Sequence, residues 1–510
     1  MSRFGRLSGV LLPVFSLRAK DDFGVGDFGA MDGLFAWLQR ARQKLLMTLP
    51  LLPTAPGDSS PYSTRSAFGL NPLFVHLGWL EEKVALTADE EKALARLRQS
   101  PRVAYAEVMG LKGSVLARAF ALFDAAARRQ PARGRAFESF CDTQAFWLED
   151  FALFAALSEQ HQQKPWWEWT PELAQREPAA LAEAKKRLAE RLRWFRWLQF
   201  ESHRQWDRVR AQAKERGVLL CGDEPFIIAQ DSADCWAHPD LLRRDARLGA
   251  PPDDFSADGQ DWGLPWFDFE ALKKTDDAWL RQRARSAAAY YDLRRVDHAI
   301  GYFRQWIRDE QAPRGRFIPS DEPSQAALGE KNFRLLSSGA GIVCEDLGVI
   351  PRFARAVLEA LELPGYQVMR WSREDGVYKD PHQYPALSLV TTGTHDTETM
   401  RVWWETAPSW EREAVTRTFP ELRGFDAGPA FTPQVHEALV AAMMNANSDY
   451  AIIPWQDVFA DSERINLPGT VGEHNWTWRM APPVEELLTR DDTRAAADWL
   501  AGLTVSGRRA

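Results

Sequence analysis

Eight short apolar runs, helix-like stretches between most of them, and acids where three of the runs end together predict an α/β fold, a (β/α)8 TIM barrel. The runs are Gly9–Pro13, Leu45–Leu52, Gly217–Gly222, Tyr291–Asp297, Gly341–Glu345, Tyr366–Trp371, Ala386–Thr392 and Tyr450–Trp455. Continuous apolar runs of this length fit strands buried on both faces, as in a parallel sheet covered by helices. Asp32–Gln43 and Pro351–Leu361 are two of the helix-like connections. Eight strands alternating with helices favour a closed barrel over an open sheet.

The first run is followed by Gly24-Val25-Gly26-Asp27-Phe28-Gly29, a formal match to GxGxxG. A dinucleotide fingerprint follows its strand directly and has an acid about 20 residues on. Here the glycines trail the run by about ten residues, and Leu46–Leu49 offers no acid. The segment therefore reads as a barrel loop, with Asp27 capping the next helix. Roughly 165 residues separate the second and third runs. Glu90–Arg98, Gly113–Arg129 and Leu181–Gln199 are rich in Ala, Arg, Glu and Leu, so residues 78–215 are expected to form a helical insertion. No Gly/Ser/Pro linker brackets it. Residues 1–510 are accordingly taken as one barrel domain, with the helical insertion as a wall of its mouth. Further insertions are expected at residues 223–290 and 397–448, and no C-terminal β-sandwich.

Composition narrows the function classes. Hydrophobic residues at 45% and charged residues at 26% suit a soluble enzyme, and no apolar run reaches the roughly 18 residues of a membrane span. A net charge of −8 gives no reason to expect nucleic acid or an anionic membrane as partner. No small-residue cleavage pattern follows Leu7–Leu17, and the four cysteines (Cys141, Cys221, Cys235, Cys344) form no CxxC, so a reduced cytoplasmic setting is expected. The Asn475-Trp476-Thr477 sequon carries no weight without secretion. Nine histidines without HExxH give no metal site, and neither a GxSxG elbow nor a P-loop is present. The 22 tryptophans are expected to serve mainly a large aromatic core, a minority covering the apolar faces of sugar rings. Trp166-Trp167 with Trp169 reads as helix packing, with a sugar platform as the alternative.

Barrel enzymes carry their chemistry at the C-terminal strand ends. The fourth run ends Arg294-Arg295-Val296-Asp297-His298, the fifth Val343-Cys344-Glu345-Asp346, and the seventh continues Thr392-Gly393-Thr394-His395-Asp396. Three acids should thus converge on one mouth. Residues i and i+2 of a strand share a face, so Arg295 and Asp297 point together. A guanidinium favours the ionised form of a neighbouring carboxyl, which suits a nucleophile. Alone, that pair would be an ordinary ion pair at a barrel rim; the two further acids argue for a site.

The order Arg-x-Asp, Glu, His-Asp is similar to the α-amylase clan, and the whole chain more closely resembles the amylomaltases, or 4-α-glucanotransferases. The resembling blocks run from Gly9-Val10-Leu11-Leu12-Pro13 to Asn475-Trp476-Thr477-Trp478-Arg479. Among the most specific are Ser60-Pro61-Tyr62, Asp231-Ser232-Ala233-Asp234, Pro251-Pro252-Asp253, Gly259-Gln260-Asp261-Trp262-Gly263, Glu345-Asp346-Leu347-Gly348 and Gly393-Thr394-His395-Asp396. The resemblance implies Asp297 as nucleophile, Glu345 as acid/base, and Asp396 as the acid that binds hydroxyls of the reacting glucose. It implies that Arg295 and His395 hold the nucleophile and the same sugar. It also implies that Asp223, Gln260 and Asn466 are polar residues near that sugar, and that Tyr62 and Trp262 are aromatic subsite residues. Ser60 and His298 join them as substrate-binding candidates.

Transfer of an α-1,4-glucan segment to the 4-hydroxyl of glucose or a maltooligosaccharide is the implied activity, with no cofactor because the acids perform both half-reactions. Retaining chemistry needs two carboxyls about 5–5.5 Å apart, one of them protonated when attack begins. Cys344 on an apolar strand suits a dry setting for Glu345. Plain hydrolysis uses the same acids, and a silent glucan-binding protein would not need all three. The chain departs from the family's pattern at Cys344, at Gly263-Leu264-Pro265 and at Asp223-Glu224-Pro225, where an extra carboxylate is expected near Asp223.

Overall fold

The computed structural model describes residues 3–129, 131–252, 259–309 and 315–509. Asp253 of the Pro251-Pro252-Asp253 block lies outside them. A strand overlaps every predicted run: β1 Leu7–Leu11, β2 Leu45–Met47, β3 Leu219–Glu224, β4 Leu293–Val296, β5 Gly341–Cys344, β6 Gly365–Val368, β7 Ser388–Thr391 and β8 Tyr450–Pro454. They form one sheet in the order β6-β7-β8-β1-β2-β3-β4-β5, with every pairing parallel. Across the remaining seam the Cys344 N–H donates to Pro364 O at 2.8 Å. The sheet is thus a nearly closed (β/α)8 barrel. All residues of β1, β2, β4, β5, β7 and β8 are buried, which is why these strands read as continuous apolar runs without alternation. Gly9 lets β2 approach β1, since a Cβ there would meet Leu45 O at 2.2 Å.

Helices Met31–Arg40, Ala189–Glu215, Ala278–Tyr290, Glu322–Leu336, Arg352–Ala360 and Pro433–Asn445 connect the strands, and Asp491–Ser506 closes the ring. Asp27 accepts from the Gly29 N–H at 2.9 Å and caps the short turn leading into Met31–Arg40. Trp37 Nε1 donates to Thr493 O at 2.8 Å, tying the first of these helices to the last. Arg509 is fully buried and donates to the carbonyls of Leu7 at 3.3 Å and Asp449 at 3.2 Å, at the β1–β8 junction.

Between β2 and β3 lie Ala88–Gln99, Tyr105–Arg129, Pro131–Thr143, Ala145–Gln160 and Pro178–Arg187, all helical. Trp169 is buried there against His161 and Trp236, at 5.4 and 5.7 Å, and the Arg244 guanidinium covers the Trp167 ring at 3.5 Å. Trp169 packs in the way the helix-packing reading expects, while Trp166 is half-buried and Trp167 is exposed beneath that guanidinium. After β3 and β4 the chain builds an element that the sequence did not reveal. It is a four-stranded antiparallel sheet of Gln260–Phe267, Leu242–Ala250, Gln305–Asp309 and Arg316–Ile318, in that order. Among the described residues no helix is long and apolar enough to cross a membrane, and the four cysteines are free and buried.

Candidate active site

Parallel strands end together at one rim, so the residues after β4, β5 and β7 meet there. Asp297 follows β4 directly, and its N–H donates to Glu224 O at 3.1 Å, which keeps it in strand register. Arg295 is buried on the inward face of β4. Its Nη1 lies 2.8 Å from Asp297 Oδ1 and 2.8 Å from Asp223 Oδ1, so one guanidinium bridges two carboxylates. The shared-face expectation for Arg295 and Asp297 is met. Burial pushes Asp223 up, Arg295 pulls against it, and Asp297 pushes the same way as burial; the net direction is upward.

Glu345 follows β5 on the floor of the cavity. Enclosure by protein raises its pKa to about 7; Arg295 opposes this, and the negative charge of Asp297 adds to it. Two backbone donors hold its carboxyl: His298 N–H to Oε2 at 2.8 Å and Leu347 N–H to Oε1 at 2.9 Å. His298 reaches that position with φ of 44°, a left-handed conformation that non-glycine residues adopt at a cost of roughly 1–2 kcal/mol. The strain therefore sits where a main-chain donor is aimed at an acid. Burial lowers His298 itself to about 4, so its ring is neutral near pH 7.

Asp396 follows β7 through Thr392–His395. Burial alone would raise it, but His395 Nε2 at 3.3 Å and Asn466 Nδ2 at 2.6 Å outweigh this and hold it well below the usual carboxylate range. The same pair acts on His395. Burial, the largest influence, lowers it, but the Asp396 charge and hydrogen bond together outweigh burial, and the result is upward. Tyr62 completes the arrangement from the loop after β2. Its hydroxyl donates to Asp223 Oδ2 at 2.8 Å and lies 3.0 Å from His395 Nε2, and its ring stacks on His395 at 5.2 Å. We expect Tyr62→Phe to lower kcat/KM by ~10-fold or more, because it removes one of the hydrogen bonds that hold a buried carboxylate and the contact to His395 Nε2. Steady-state kinetics with the melting temperature as control checks this.

These residues surround a cavity of about 340 Å3 lined by Ser60, Tyr62, Trp262, Asp297, His298, Glu345, His395, Asp396 and Asn466. Asp223 and Arg295 stand behind Tyr62 and Asp297. Gln260 is exposed at the rim, where it accepts from Trp262 Nε1 at 2.9 Å. Pro225, Phe226, Ile227, Leu264 and Trp476 also line the cavity, and sequence reasoning did not select them. Trp476 packs behind Tyr62 and His395, 5.7 Å from each.

Two expectations are corrected. Among the described residues none from 78–215 lines the cavity; the walls are the loops after β2 and β3, the antiparallel sheet, and the segment holding Asn466 and Trp476. Glu224 adds no carboxylate beside Asp223, because adjacent strand residues face opposite ways. It turns out of the barrel onto Arg283 and Arg294.

The geometry can be set beside known proteins. The family model described as 4-alpha-glucanotransferase matches residues 12–485. The chain belongs to the 4-alpha-glucanotransferase family. A 4-alpha-glucanotransferase from Synechocystis is 34% identical over 519 residues, covering 98% of this chain and 96% of its own. One from Thermus thermophilus is 34% identical over 499 residues, covering 94% and 95%. An amylomaltase from Streptococcus agalactiae, solved in complex with acarbose, matches with a TM-score of 0.83 and 27% identity over 99% of each chain. The chain is thus an enzyme with 4-alpha-glucanotransferase activity, a transferase on an amylomaltase-type barrel.

Proposed function

We propose that the enzyme works by retaining double displacement on α-1,4-glucans, with Asp297 as nucleophile and Glu345 as acid/base. The observation that carries this reading is the contrast between two carboxyls at one rim. Asp297 lies 2.8 Å from the Arg295 guanidinium, while Glu345 keeps its proton up to about pH 7. An acid that is protonated when the donor arrives, beside a carboxylate paired with a guanidinium, is what the first step requires.

In that step Asp297 attacks the anomeric carbon and Glu345 gives its proton to the leaving glycosidic oxygen. A β-glycosyl ester and a free shortened glucan result. Glu345, now ionised, takes the proton of an acceptor 4-hydroxyl, whose oxygen displaces Asp297 and restores the α linkage. Asp396, held ionised by His395 and Asn466, binds hydroxyls of the reacting glucose and supports the positive charge that develops on the ring. Ser60, His298, Asn466 and Gln260 supply polar contacts at or near the cavity, and Tyr62 and Trp262 offer ring faces to sugars. Donors are maltooligosaccharides or starch chains, and acceptors are glucose or other glucans.

Hydrolysis differs only in the second step, where water replaces the acceptor hydroxyl. The aromatic and apolar wall of Trp262, Phe226, Leu264 and Trp476 favours transfer, since it offers a sugar more than it offers water. Incubation with maltotriose distinguishes them. Transfer gives longer oligosaccharides and glucose with little net gain in reducing ends; steady growth of reducing ends without longer products would overturn it.

A further inference from the structure

A buried ion cluster behind the cavity wall takes no part in the chemistry above. Glu224, Arg283 and Arg294 are 8%, 2% and 0% exposed. Glu224 Oε1 lies 2.8 Å from Arg283 Nε, and its other oxygen contacts Arg294 Nη1. Two guanidinium groups thus share one carboxylate. Buried ions of this kind add little net stability over a packed apolar cluster, so a purely cohesive role explains them poorly.

Arg283 reaches further. Its Nη1 donates to Phe226 O at 2.8 Å and its Nη2 donates to Pro225 O, so one planar fork holds two successive carbonyls of the cavity wall. Phe226 then packs edge-on against Tyr302 at 5.0 Å and against His298 at 5.5 Å, and the His298 N–H holds Glu345. On the same peptide run, Glu224 O accepts the Asp297 N–H. There is no slack below: a Cβ on Gly301 would meet the Phe226 ring at 2.6 Å and the His298 ring at 2.9 Å.

We propose that Arg283 is a positioning residue for glucan transfer, clamping the Glu224–Phe226 run so that the acceptor-facing wall, Asp297 and the His298–Glu345 contact keep one geometry. This rests on the function proposed above. Lysine cannot replace it, because a single ammonium does not span two carbonyls and a carboxylate as a fork does.

The test compares Arg283→Lys and Arg283→Met with the wild type, using maltotriose for the transfer-to-hydrolysis ratio and α-glucosyl fluoride for kcat and KM. Melting temperature reports stability. Arg283→Lys is expected to lower kcat by ~10–100-fold with KM little changed, and to raise the hydrolysed share several-fold. Arg283→Met, which removes the fork and the charge together, is expected to raise the hydrolysed share at least as much. A lower melting temperature with the wild-type product ratio and kcat in every variant that folds would overturn the proposal and leave Arg283 as ordinary glue. If the methionine variant does not fold, the product ratio of the lysine variant decides. If neither folds, Phe226→Leu, which frees the wall and leaves the cluster in place, decides: it must raise the hydrolysed share. A wild type that makes no longer oligosaccharides sinks the transfer reading itself. In that case the fall in kcat of Arg283→Lys on α-glucosyl fluoride, at an unchanged KM and melting temperature, still judges the clamp.

Discussion

Asp297→Asn is expected to abolish transfer and hydrolysis together, lowering kcat/KM on maltotriose by ~10^4-fold or more. The amide is nearly isosteric but is neither an anion nor a competent nucleophile, so no glycosyl ester forms. The surrounding geometry should survive, because Arg295 keeps both oxygens of Asp223, at 2.8 and 3.0 Å, when its second partner is lost. A normal melting temperature with an inactive enzyme is therefore the expected pair of results. A sharper outcome comes from Asp297→Gly with azide and α-glucosyl fluoride. Azide in the vacated space attacks from the side that Asp297 occupied, so a β-glucosyl azide is expected. Near-normal turnover by the asparagine variant would refute the assignment.

Glu345→Gln carries the second large effect, a loss of ~10^3-fold or more in kcat on maltotriose. The loss should be much smaller on α-glucosyl fluoride, whose leaving group needs no proton, so the ester forms and persists. In the wild type the basic limb of kcat/KM should fall near pH 7, where Glu345 releases its proton, and the variant should lack that limb. Stability should move the other way. The pKa of Glu345 is raised in the folded state from an ordinary 4.5 to about 7, so its carboxyl is neutral in both states at low pH and ionised in both at high pH. Ionisation is disfavoured only in the folded state, so stability falls as pH rises through 7. Replacing the acid by the amide should thus stabilise by about 1–3 kcal/mol at pH 8 and hardly at all at pH 4.5. Equal melting shifts at the two pH values would contradict this account.

The barrel was legible because parallel strands buried on both faces are written as unbroken apolar runs, and every run from Gly9–Pro13 to Tyr450–Trp455 contains strand residues. The antiparallel sheet was not legible. Leu242–Ala250 buries Leu242, Ala246 and Leu248 but interleaves them with Arg243, Arg244, Asp245 and Arg247, too little apolar pattern to stand out from a loop. At the mouth, Arg295 and Asp297 followed from i, i+2 alternation. The same rule, applied one residue at a time, sends Glu224 away from Asp223, so that signal was present and unused. Trp476 stood in a resembling block but without a role: it reaches Tyr62 and His395 from a loop with φ of 62°, a conformation that side-chain type does not announce. The cavity lies at the predicted strand ends, but the predicted helical wall does not line it, because a long insertion signals bulk, not the direction in which it packs.

Leu7 pairs with Tyr450, and Arg509 pins the carbonyls beside that junction. During synthesis at ~5–20 residues per second, the first strand therefore leaves the ribosome roughly 20–90 s before its neighbour on that side exists. For that interval one edge of the nascent barrel, mostly apolar side chains and unpaired peptide groups, has no partner of its own. Cell extracts lacking chaperones should consequently yield aggregate from chains that stop short of Tyr450, and active enzyme only once the last strand has been released.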